Sequence, residues 1–362
     1  MRAWLKTAVV AVFALAAGPG AQAETLTDAL IAAYKNSNLL DQNRAVLRAA
    51  DEDVAVAVST LRPVVAYTAQ AGWARTDVSN GSGTTTVEGL SASLALSAEM
   101  VLFDFGRSKL GIEIARESVL ATRQALIQVE QNVLLATVQA YVDVRLAQDV
   151  VALRQSNLRL ITQELRAAQD RFDVGEITRT DVSIAEARLA ASRAALAAAQ
   201  GQLMIAREAY KAATGAYPGK LAPPPKAPAL PRTMEEAQGV ARGTHPLIRQ
   251  AQHQVTVADL QVETAKAERM PTIGAGVKLS TDDEDMQSSS LGLTMSQTLY
   301  AGGRLSALQR KALAGKDAAR AAMQQMAVGV IQNVGVAWAN LAVAGASIEA
   351  SDLQIRAAQA AF

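Results

Sequence analysis

The stretch RFDVGEITRTDVSIAEARL, residues 171–189, separates two long runs of helical sequence and decides how they pack. Gly175 is its only glycine, and glycine is the residue that most readily ends a helix in the left-handed conformation. Thr178 followed by Asp181 forms a capping-box pattern, which starts a new helix. The stretch therefore predicts a turn of a few residues, after which the chain runs back along itself.

The sequences on both sides of this turn carry matching heptad seams. No proline lies between Arg107 and Phe172, so one helix there would reach about 100 Å at about 1.5 Å per residue. Apolar and small residues recur at alternating spacings of three and four, which predicts a long antiparallel coiled-coil hairpin. The seam positions are Leu158, Ile161, Leu165, Ala168 and Phe172 before the turn, and Val182, Ala185, Leu189, Ser192, Leu196, Ala199, Leu203, Ala206 and Tyr210 after it.

The N-terminus has the three parts of a secretory signal peptide. Arg2 and Lys6 are basic, residues 8–18 are apolar, and Ala21-Gln22-Ala23 is a small-x-small cleavage site. We therefore predict export after removal of residues 1–23. The exported chain has no cysteine and so no disulfide, and its near-neutral charge gives no basic face for nucleic acid. No run of about 18 apolar residues appears after the signal peptide, so the sequence excludes a helical membrane span.

The mature chain is read as two copies of one unit. Equivalent residues of the two copies are first 208 positions apart, which aligns Asp51 with Asp259 and Pro63 with Pro271. The spacing then becomes 197, which aligns Leu102-Phe103 with Leu299-Tyr300, Gly106-Arg107 with Gly303-Arg304, and Tyr141 with Trp338. It finally becomes 190, which aligns RAAQDRF (166–172) with RAAQAAF (356–362). The predicted domains are a first copy, 24–216, a proline-rich strap, 217–232, and a second copy, 233–362. The length difference is assigned to loops at 74–89 and 280–287, and the acidic run 282–285 to the second loop.

Each copy is predicted to open with one amphipathic helix that ends at its proline, followed by two strands of about 10 residues. Period-two alternation marks these strands and gives them one apolar face and one small or polar face. The lengths suit strands that cross a bilayer at a tilt, although a soluble half-buried sheet gives the same alternation. Polar-face positions predicted to line a lumen are Ser91, Ser93, Glu99, Lys278 and Thr294.

The four predicted strands are too few to close a membrane barrel. Unpaired strand edges are not tolerated in hydrocarbon, and the smallest bacterial barrels have about eight strands. A membrane location therefore requires a homo-oligomer in which each chain contributes four strands. The pattern alone leaves two chains and three chains open.

Together, the signal peptide, the two copies, the strand exits LFDFGR (102–107) and LYAGGR (299–304), and the tip VGEITRTDVSIAEARL (174–189) resemble the outer-membrane efflux protein family. Within that family the chain is most similar to the TolC type associated with type I secretion. The resemblance covers essentially all of residues 24–362, and the tip is among its more specific segments.

The resemblance implies a mainly α fold with a β-barrel portion: a trimer whose twelve-stranded barrel lies in the outer-membrane lipid of a Gram-negative bacterium and continues as a helical tunnel through the periplasm. A periplasmic adaptor and an inner-membrane ABC or RND transporter would open this passive duct for type I protein secretion and multidrug efflux. Thr180 and Asp181 would latch the tunnel mouth, and Val174, Gly175 and Thr178 would form the tip that contacts the adaptor. The family pattern also places a turn and a return helix after Phe362, so the second hairpin is expected to be truncated.

No enzyme, cofactor or metal site is predicted. DFG at 104–106 lacks the other kinase motifs, GAYPGK at 215–220 is one residue short of a phosphate loop, and neither His245 nor His253 belongs to a metal-binding pattern. Two other functions compete with an export duct: a soluble periplasmic adaptor-like coiled-coil protein of an efflux system, and a periplasmic spacer without a pore.

Overall fold

The computed structural model describes residues 23–80, 83–282 and 287–360. Most of the predicted signal peptide, three of the four residues of the acidic run and Phe362 lie outside the described residues. The helices are α1 (Leu26–Asn36), α2 (Asn38–Ser59), α3 (Arg107–Asp173), α4 (Arg179–Thr214), α5 (Met234–Thr244), α6 (Pro246–Ala267) and α7 (Arg304–Ala360); the strands are β1 (Val64–Asn80), β2 (Gly83–Phe103), β3 (Thr272–Asp282) and β4 (Gln287–Ser296). The chain divides into two compact units, residues 1–42 with 129–229 and residues 43–128 with 230–362.

The prediction of one opening helix per copy was wrong, because each copy opens with two. In the first copy α1 ends at Ser37, whose backbone is extended and whose hydroxyl accepts the Leu40 N–H at 3.3 Å. In the second copy Pro246 forces the preceding residue out of the helical conformation, and His245 becomes the cap of α6. Its Nδ1 accepts the Leu247 N–H at 3.3 Å, and burial lowers the pKa of His245, which favours the neutral ring that this hydrogen bond requires.

The four strands form one antiparallel sheet in the order β1-β2-β3-β4, which lies in the second compact unit. Val64 lies opposite Glu99 in the first hairpin, and Thr272 lies opposite Ser296 in the second. The two hairpins are joined through β2 and β3, with a register irregularity between Val101 and Phe103. Within the described residues, β1 and β4 are therefore edge strands.

The first hairpin is longer than the sequence predicted. β1 has 17 residues and β2 has 21, whereas β3 and β4 have 11 and 10. Residues 74–89, predicted as a loop, continue the hairpin as far as the pair Asn80 and Gly83. Polar cross-strand pairs support this extension: the Thr86 hydroxyl donates to Asp77 at 2.6 Å, and Arg75 lies 3.0 Å from Glu88.

The two strand exits have the same unusual backbone. Phe105 and Gly106 have φ of 54° and 87°, and the residues aligned with them, Gly302 and Gly303, have φ of 59° and 86°. A bulky residue in the left-handed region carries strain. The Phe105 ring packs edge-on against Phe103 with centroids 4.7 Å apart, and this contact offsets part of that strain.

The predicted coiled-coil hairpin is present in the first compact unit. Helix α3 has 67 residues and α4 has 36, and Val182, Leu189, Ser192, Ala199 and Tyr210 are buried on α4. The remaining seam positions of both helices are partly buried, while most side chains between them are exposed. The heptad spacing therefore identified the packing face of both helices.

The base of this hairpin is held by a hydrogen-bond network around Glu24 that the sequence did not reveal. The Tyr210 hydroxyl donates to the Glu24 carboxylate at 2.5 Å, and the Gly219 N–H donates to its other oxygen at 3.2 Å. The Tyr141 hydroxyl contacts the backbone carbonyl oxygens of Glu24 and Ala222. These bonds fix the segment that follows the predicted cleavage site to the start of the strap.

In the second unit, α6 packs closely against α7 through a face of small residues. Ala251, Ala258, Val262 and Ala265 are buried on α6, whereas Val330 is the buried residue of α7 among those described. Most large apolar side chains of α7 are exposed, including Leu341, Val343, Ile348, Leu353 and Ile355. Most of the surface of this helix is thus without a partner inside the described chain.

The length and composition of α7 also correct one prediction. It contains an 18-residue window of mean hydropathy 1.5, enough to cross a membrane by length and composition, so the sequence alone did not exclude a helical span. One such helix is weak evidence for a span. Its abundant alanine also suits a helix that packs against other helices.

Candidate functional site

The turn between α3 and α4 has the geometry that its sequence predicts. Gly175 has φ of 78°, its N–H donates to the Phe172 carbonyl at 2.9 Å, and the Glu176 N–H donates to the Arg171 carbonyl at 2.9 Å. These two bonds are the pair found in a Schellman motif, which satisfies the last carbonyl groups of a helix. Val174, just before the glycine, is 78% exposed. The tip therefore presents an apolar side chain to solvent on a well-defined turn.

The return helix begins with the predicted cap. The Asp181 carboxylate accepts hydrogen bonds from the Thr178 N–H at 2.9 Å and from the Thr178 hydroxyl at 2.7 Å. The hydroxyl bond first, and the backbone bond second, lower the pKa of Asp181. Thr180 is exposed beside it. The structure thus brings Val174, Gly175, Thr178, Thr180 and Asp181 together at one end of the hairpin, where the carboxylate of Asp181 already caps its own helix.

The sheet has two chemically different faces, and the predicted lumen residues share one of them. Directly opposite residues point to the same side of an antiparallel sheet. Ser97 lies opposite Lys278, Glu99 opposite Gly276, and Ser93 opposite Asp282. By strand alternation and register, Ser91 and Thr294 belong to this polar face as well. Gln70, Ser280 and Ser290 lie on the same face and were not among the positions predicted to line the lumen. Strand alternation points to Gln70 and Ser290, whereas Ser280 was assigned to the loop.

The opposite face is apolar and exposed. Leu96 lies opposite both Tyr67 and Leu279, and Val277 lies opposite Leu291. Such side chains gain nothing from contact with water, and a continuous exposed apolar surface of this kind indicates an interaction with lipid or protein. The sheet therefore has one apolar face and one polar face.

The described residues contain no cluster of three or more side chains able to hold a metal ion. The two histidines serve packing and capping: His253 Nδ1 lies 2.8 Å from a Glu117 carboxylate oxygen, and His245 caps α6. The His253–Glu117 pair joins α6 to the start of α3 and was not anticipated. Nothing in the two aligned copies pointed to it, since Ala45 and Ala314 occupy the aligned positions.

Comparison with known proteins identifies the family. The family model described as "Outer membrane efflux protein" matches residues 30–216 and 239–362. The outer membrane efflux protein BepC of Brucella suis biovar 1 (strain 1330) is 34% identical over 352 residues, which are 95% of this chain and 76% of BepC. The alkaline protease secretion protein AprF of Pseudomonas aeruginosa is 26% identical over 234 residues, 60% of this chain and 48% of AprF.

The fold is also that of solved outer-membrane channels. The chain superposes on a crystal structure of CusC, described in terms of transmembrane channel formation, with a TM-score of 0.70 and 22% identity over 92% of this chain and 78% of that one. Both the helices and the four-stranded antiparallel sheet are thus features of a known fold. The location predicted from the sequence, the outer membrane, is confirmed by the family, which is one of efflux proteins and not of enzymes. The chain belongs to the outer membrane efflux protein family.

Proposed function

We propose that the protein is a passive export duct that works as a homotrimer. The observation that carries this proposal is the open four-stranded sheet, with one apolar face, one polar face and two free edges within the described residues. In the membrane the free edges need partners, because hydrocarbon offers their N–H and C=O groups no hydrogen bonds. Three copies make a barrel of twelve strands, within the range of bacterial barrels.

The two faces suit opposite sides of such a barrel wall. The apolar side chains of β1–β4 would face outer-membrane lipid, and Ser91, Ser93, Glu99, Lys278 and Thr294 would line an aqueous lumen. Small side chains and glycines on the polar face leave room for passage. The long helices would continue this lumen through the periplasm, and the exposed apolar face of α7 would pack against helices of the assembly.

We propose roles for the hairpin tip that follow the family resemblance. The exposed Val174, the turn at Gly175 and Thr178 would form the surface that a periplasmic adaptor grips. Thr180 and Asp181 would latch the closed tunnel mouth until an inner-membrane ABC or RND transporter and its adaptor dock. The capping bonds of Asp181 support this assignment because they hold its carboxylate at the tip.

The cargo is proposed from the relatives. AprF is named for alkaline protease secretion, BepC for outer-membrane efflux and CusC for cation efflux. We propose type I protein secretion together with multidrug efflux. The domain organisation proposed is a first copy in 24–216, a strap in 217–232 and a second copy in 233–362, whose last residue aligns with Phe172 at the first tip. The alternative of a soluble periplasmic adaptor is not supported, because the chain belongs to a family of outer-membrane proteins.

Fractionation and conductance test the proposal. We expect the protein in the outer-membrane fraction, as an oligomer that dissociates on heating in SDS, and we expect discrete conductance steps in planar bilayers. Recovery as a monomer from the soluble periplasm, or an absence of conductance from the purified oligomer, would sink the duct hypothesis.

The latch needs its own experiment, because Asp181 also caps a helix. Asp181→Ala should raise the single-channel conductance of the closed state. Asp170→Ala, which removes an exposed carboxylate from α3 near the same tip, is the charge control. Thr178→Val removes the hydroxyl bond and keeps the carboxylate of Asp181. An equal rise in conductance in Thr178→Val would assign the effect to the helix cap. An unchanged conductance in Asp181→Ala would contradict the latch role.

A further inference from the structure

The polar face of the sheet carries few charged side chains. Alternation and register place Glu99 of β2 and Lys278 of β3 on this face, together with Asp282, the last residue of β3. Most other positions on the face are serine, threonine, glycine or alanine. Within residues 64–80, 83–103, 272–282 and 287–296, Lys278 is the one basic residue on the polar face.

Lys278 lies among small residues, and the sheet does not use its charge. Ser97 and Ser290 lie opposite it on the neighbouring strands, and Gly276 and Ser280 lie two residues away on its own strand. The Lys278 side chain is exposed and has no hydrogen-bond or ion-pair partner among the described residues. Its ammonium group is therefore available to solutes that pass over the polar face, and its removal should leave the fold intact.

Glu99 provides the opposite charge on the neighbouring strand. Gly276 lies opposite it, and a Cβ added at this glycine would lie 3.7 Å from the Glu99 Cγ, so the glycine leaves room for the glutamate side chain to extend over β3. Lys278 is two residues from Gly276, and such diagonal neighbours lie about 7–8 Å apart. Glu99 is exposed, and within the part of the chain that the structure describes no ion pair joins it to Lys278. The two charges thus lie side by side on the polar face, each open to solvent.

We propose that Lys278 sets the charge preference of the lumen and that it favours anionic cargo. The inference rests on the proposed trimeric duct, in which each charged residue occurs three times around the lumen. Glu99 and Asp282, the other charged residues described on the polar face, are acidic, so Lys278 supplies the attraction that anions need to pass them. Charges that line a passage raise the local concentration of ions of opposite sign. The proposal therefore adds a charge class, anions, to the cargo of the duct.

The reach of these charges depends on salt in a way that identifies their effect. A barrel of twelve strands tilted by about 40° has a radius on the order of 10–15 Å. Screening acts over about 30 Å in 10 mM salt and over about 3 Å in 1 M salt. Three ammonium groups therefore act on ions across the whole lumen in dilute salt, but only close to the wall in 1 M salt. A preference that came from the size of the passage would not change in this way.

Reversal potentials in planar bilayers test the proposal. The purified oligomer would be measured in a gradient of potassium chloride at about 10 mM, and the reversal potential gives the ratio of potassium to chloride permeability. We expect Lys278→Gln to raise this ratio by about two- to threefold and Glu99→Gln to lower it by about as much. The double variant should return close to the wild-type ratio, and all these differences should nearly vanish in 1 M salt.

Two controls separate the polar face from the rest of the protein. Arg75→Gln and Glu88→Gln remove a cation and a carboxylate from the opposite face of β1 and β2, where the two residues pair at 3.0 Å, and should leave the ratio unchanged. Lys278→Cys introduces a single thiol, since the sequence contains no cysteine. A thiol reagent with a trimethylammonium group should restore the wild-type ratio, whereas one with a sulfonate group should raise the ratio beyond the Lys278→Gln value.

The outcomes separate the selectivity role of Lys278 from the duct itself. An unchanged ratio in Lys278→Gln, with conductance like that of the wild type, would overturn the selectivity role while leaving the duct intact. Equal shifts from Arg75→Gln or Glu88→Gln would overturn the assignment to the polar face. A wild-type oligomer without conductance would instead contradict the proposed function. Heat-modifiable migration of each variant checks that it has folded.

Discussion

The C-terminal halves of α3 and α7 have related sequences, but their side chains are buried to very different extents. In α3 the seam residues Leu158, Ile161 and Leu165 are partly buried, and on the returning α4 Leu189 is 8% exposed. In α7 the residues aligned with Leu158 and Leu165 are Ile348 and Ile355, which are 64% and 55% exposed. A heptad seam therefore specifies which face of a helix packs, but burial also requires a partner helix.

The largest effect should come from shortening a seam residue in each place. Leu189→Ala removes buried methyl groups that the facing helix cannot replace, so we expect it to lower the free energy of unfolding by about 2–3 kcal/mol. Ile348→Ala, made where the seam is exposed, should change it by less than about 0.5 kcal/mol in the same preparation. Urea unfolding followed by circular dichroism measures both, and hydrogen exchange over residues 179–200 locates the first.

Equal losses in these two variants would mean that Ile348 is covered in the assembled protein, as Leu189 is covered within one chain. The measurement should therefore be repeated below and above the concentration at which the oligomer forms. An Ile348→Ala loss that appears only in the oligomer would identify other copies as the cover of α7.

Much of this contrast was readable in the sequence, and the failures have physical reasons. Heptad spacing gave the seam of α3 and α4, and Gly175 with the Thr178–Asp181 pair gave the turn, because both signals are local. Strand alternation gave the two faces of the sheet. The Glu24 network and the His253–Glu117 pair join residues more than 100 positions apart, so no local pattern encodes them. The break at Ser37 was missed because serine, although a favoured helix cap, also occurs inside helices, and no glycine or proline marks the site. The length of the first hairpin was missed because Arg75, Asp77 and Ser79 interrupt the apolar positions of β1.

A second contrast concerns the base of the first hairpin, where two tyrosines each donate to a glutamate. Tyr210 is fully buried and binds Glu24, whereas Tyr217 is 56% exposed and binds Glu208 at 2.6 Å. We expect Tyr210→Phe to lower the free energy of unfolding by about 1.5–2 kcal/mol, as a buried bond to a charged acceptor does. Tyr217→Phe should lower it by less than about 0.5 kcal/mol, since water replaces the lost bond. Urea unfolding at pH 8 compares them.

The pH dependence of this contrast has a definite sign. Burial, first, and the neighbouring Glu24 carboxylate, second, raise the pKa of Tyr210 above its usual value of 10.0. Stability from a group with a raised pKa is complete below the unfolded value and is lost as the pH rises through the folded one. The difference between wild type and Tyr210→Phe should thus be constant from pH 7 to 9 and shrink above about pH 10. A difference that grows above pH 10 would contradict the buried, neutral phenol.

The same substitution at two glycines separates the turn from the helix. A Cβ at Gly175 or at Gly345 would meet nothing within 4 Å, so only the backbone distinguishes the sites. Gly175→Val places a β-branched residue at a φ of 78° and should cost about 1–2 kcal/mol. Gly345→Val, inside α7, should gain a few tenths of a kcal/mol, about the difference in helix propensity. Hydrogen exchange at residues 170–182 and 340–350 measures the two effects. If Gly175→Val left protection at the tip as high as in the wild type, the left-handed backbone at Gly175 would not be what a side chain strains.

The smallest expected effect compares two aligned ion pairs. Asp51 lies 3.9 Å from Arg123, and the aligned Asp259 lies 3.9 Å from Arg320 but also 2.5 Å from Lys316. Double-mutant cycles to alanine should give a coupling of about 0.5–1 kcal/mol for Asp259 with Lys316, and below about 0.3 kcal/mol for Asp51 with Arg123, whose side chains are both more than half exposed. Both couplings should fall in 1 M salt, where screening acts over about 3 Å. A larger coupling for Asp51 with Arg123 would mean that this pair is desolvated in the assembled protein. Helix α2 would then be a contact surface between copies, as α6 is a contact surface within one chain.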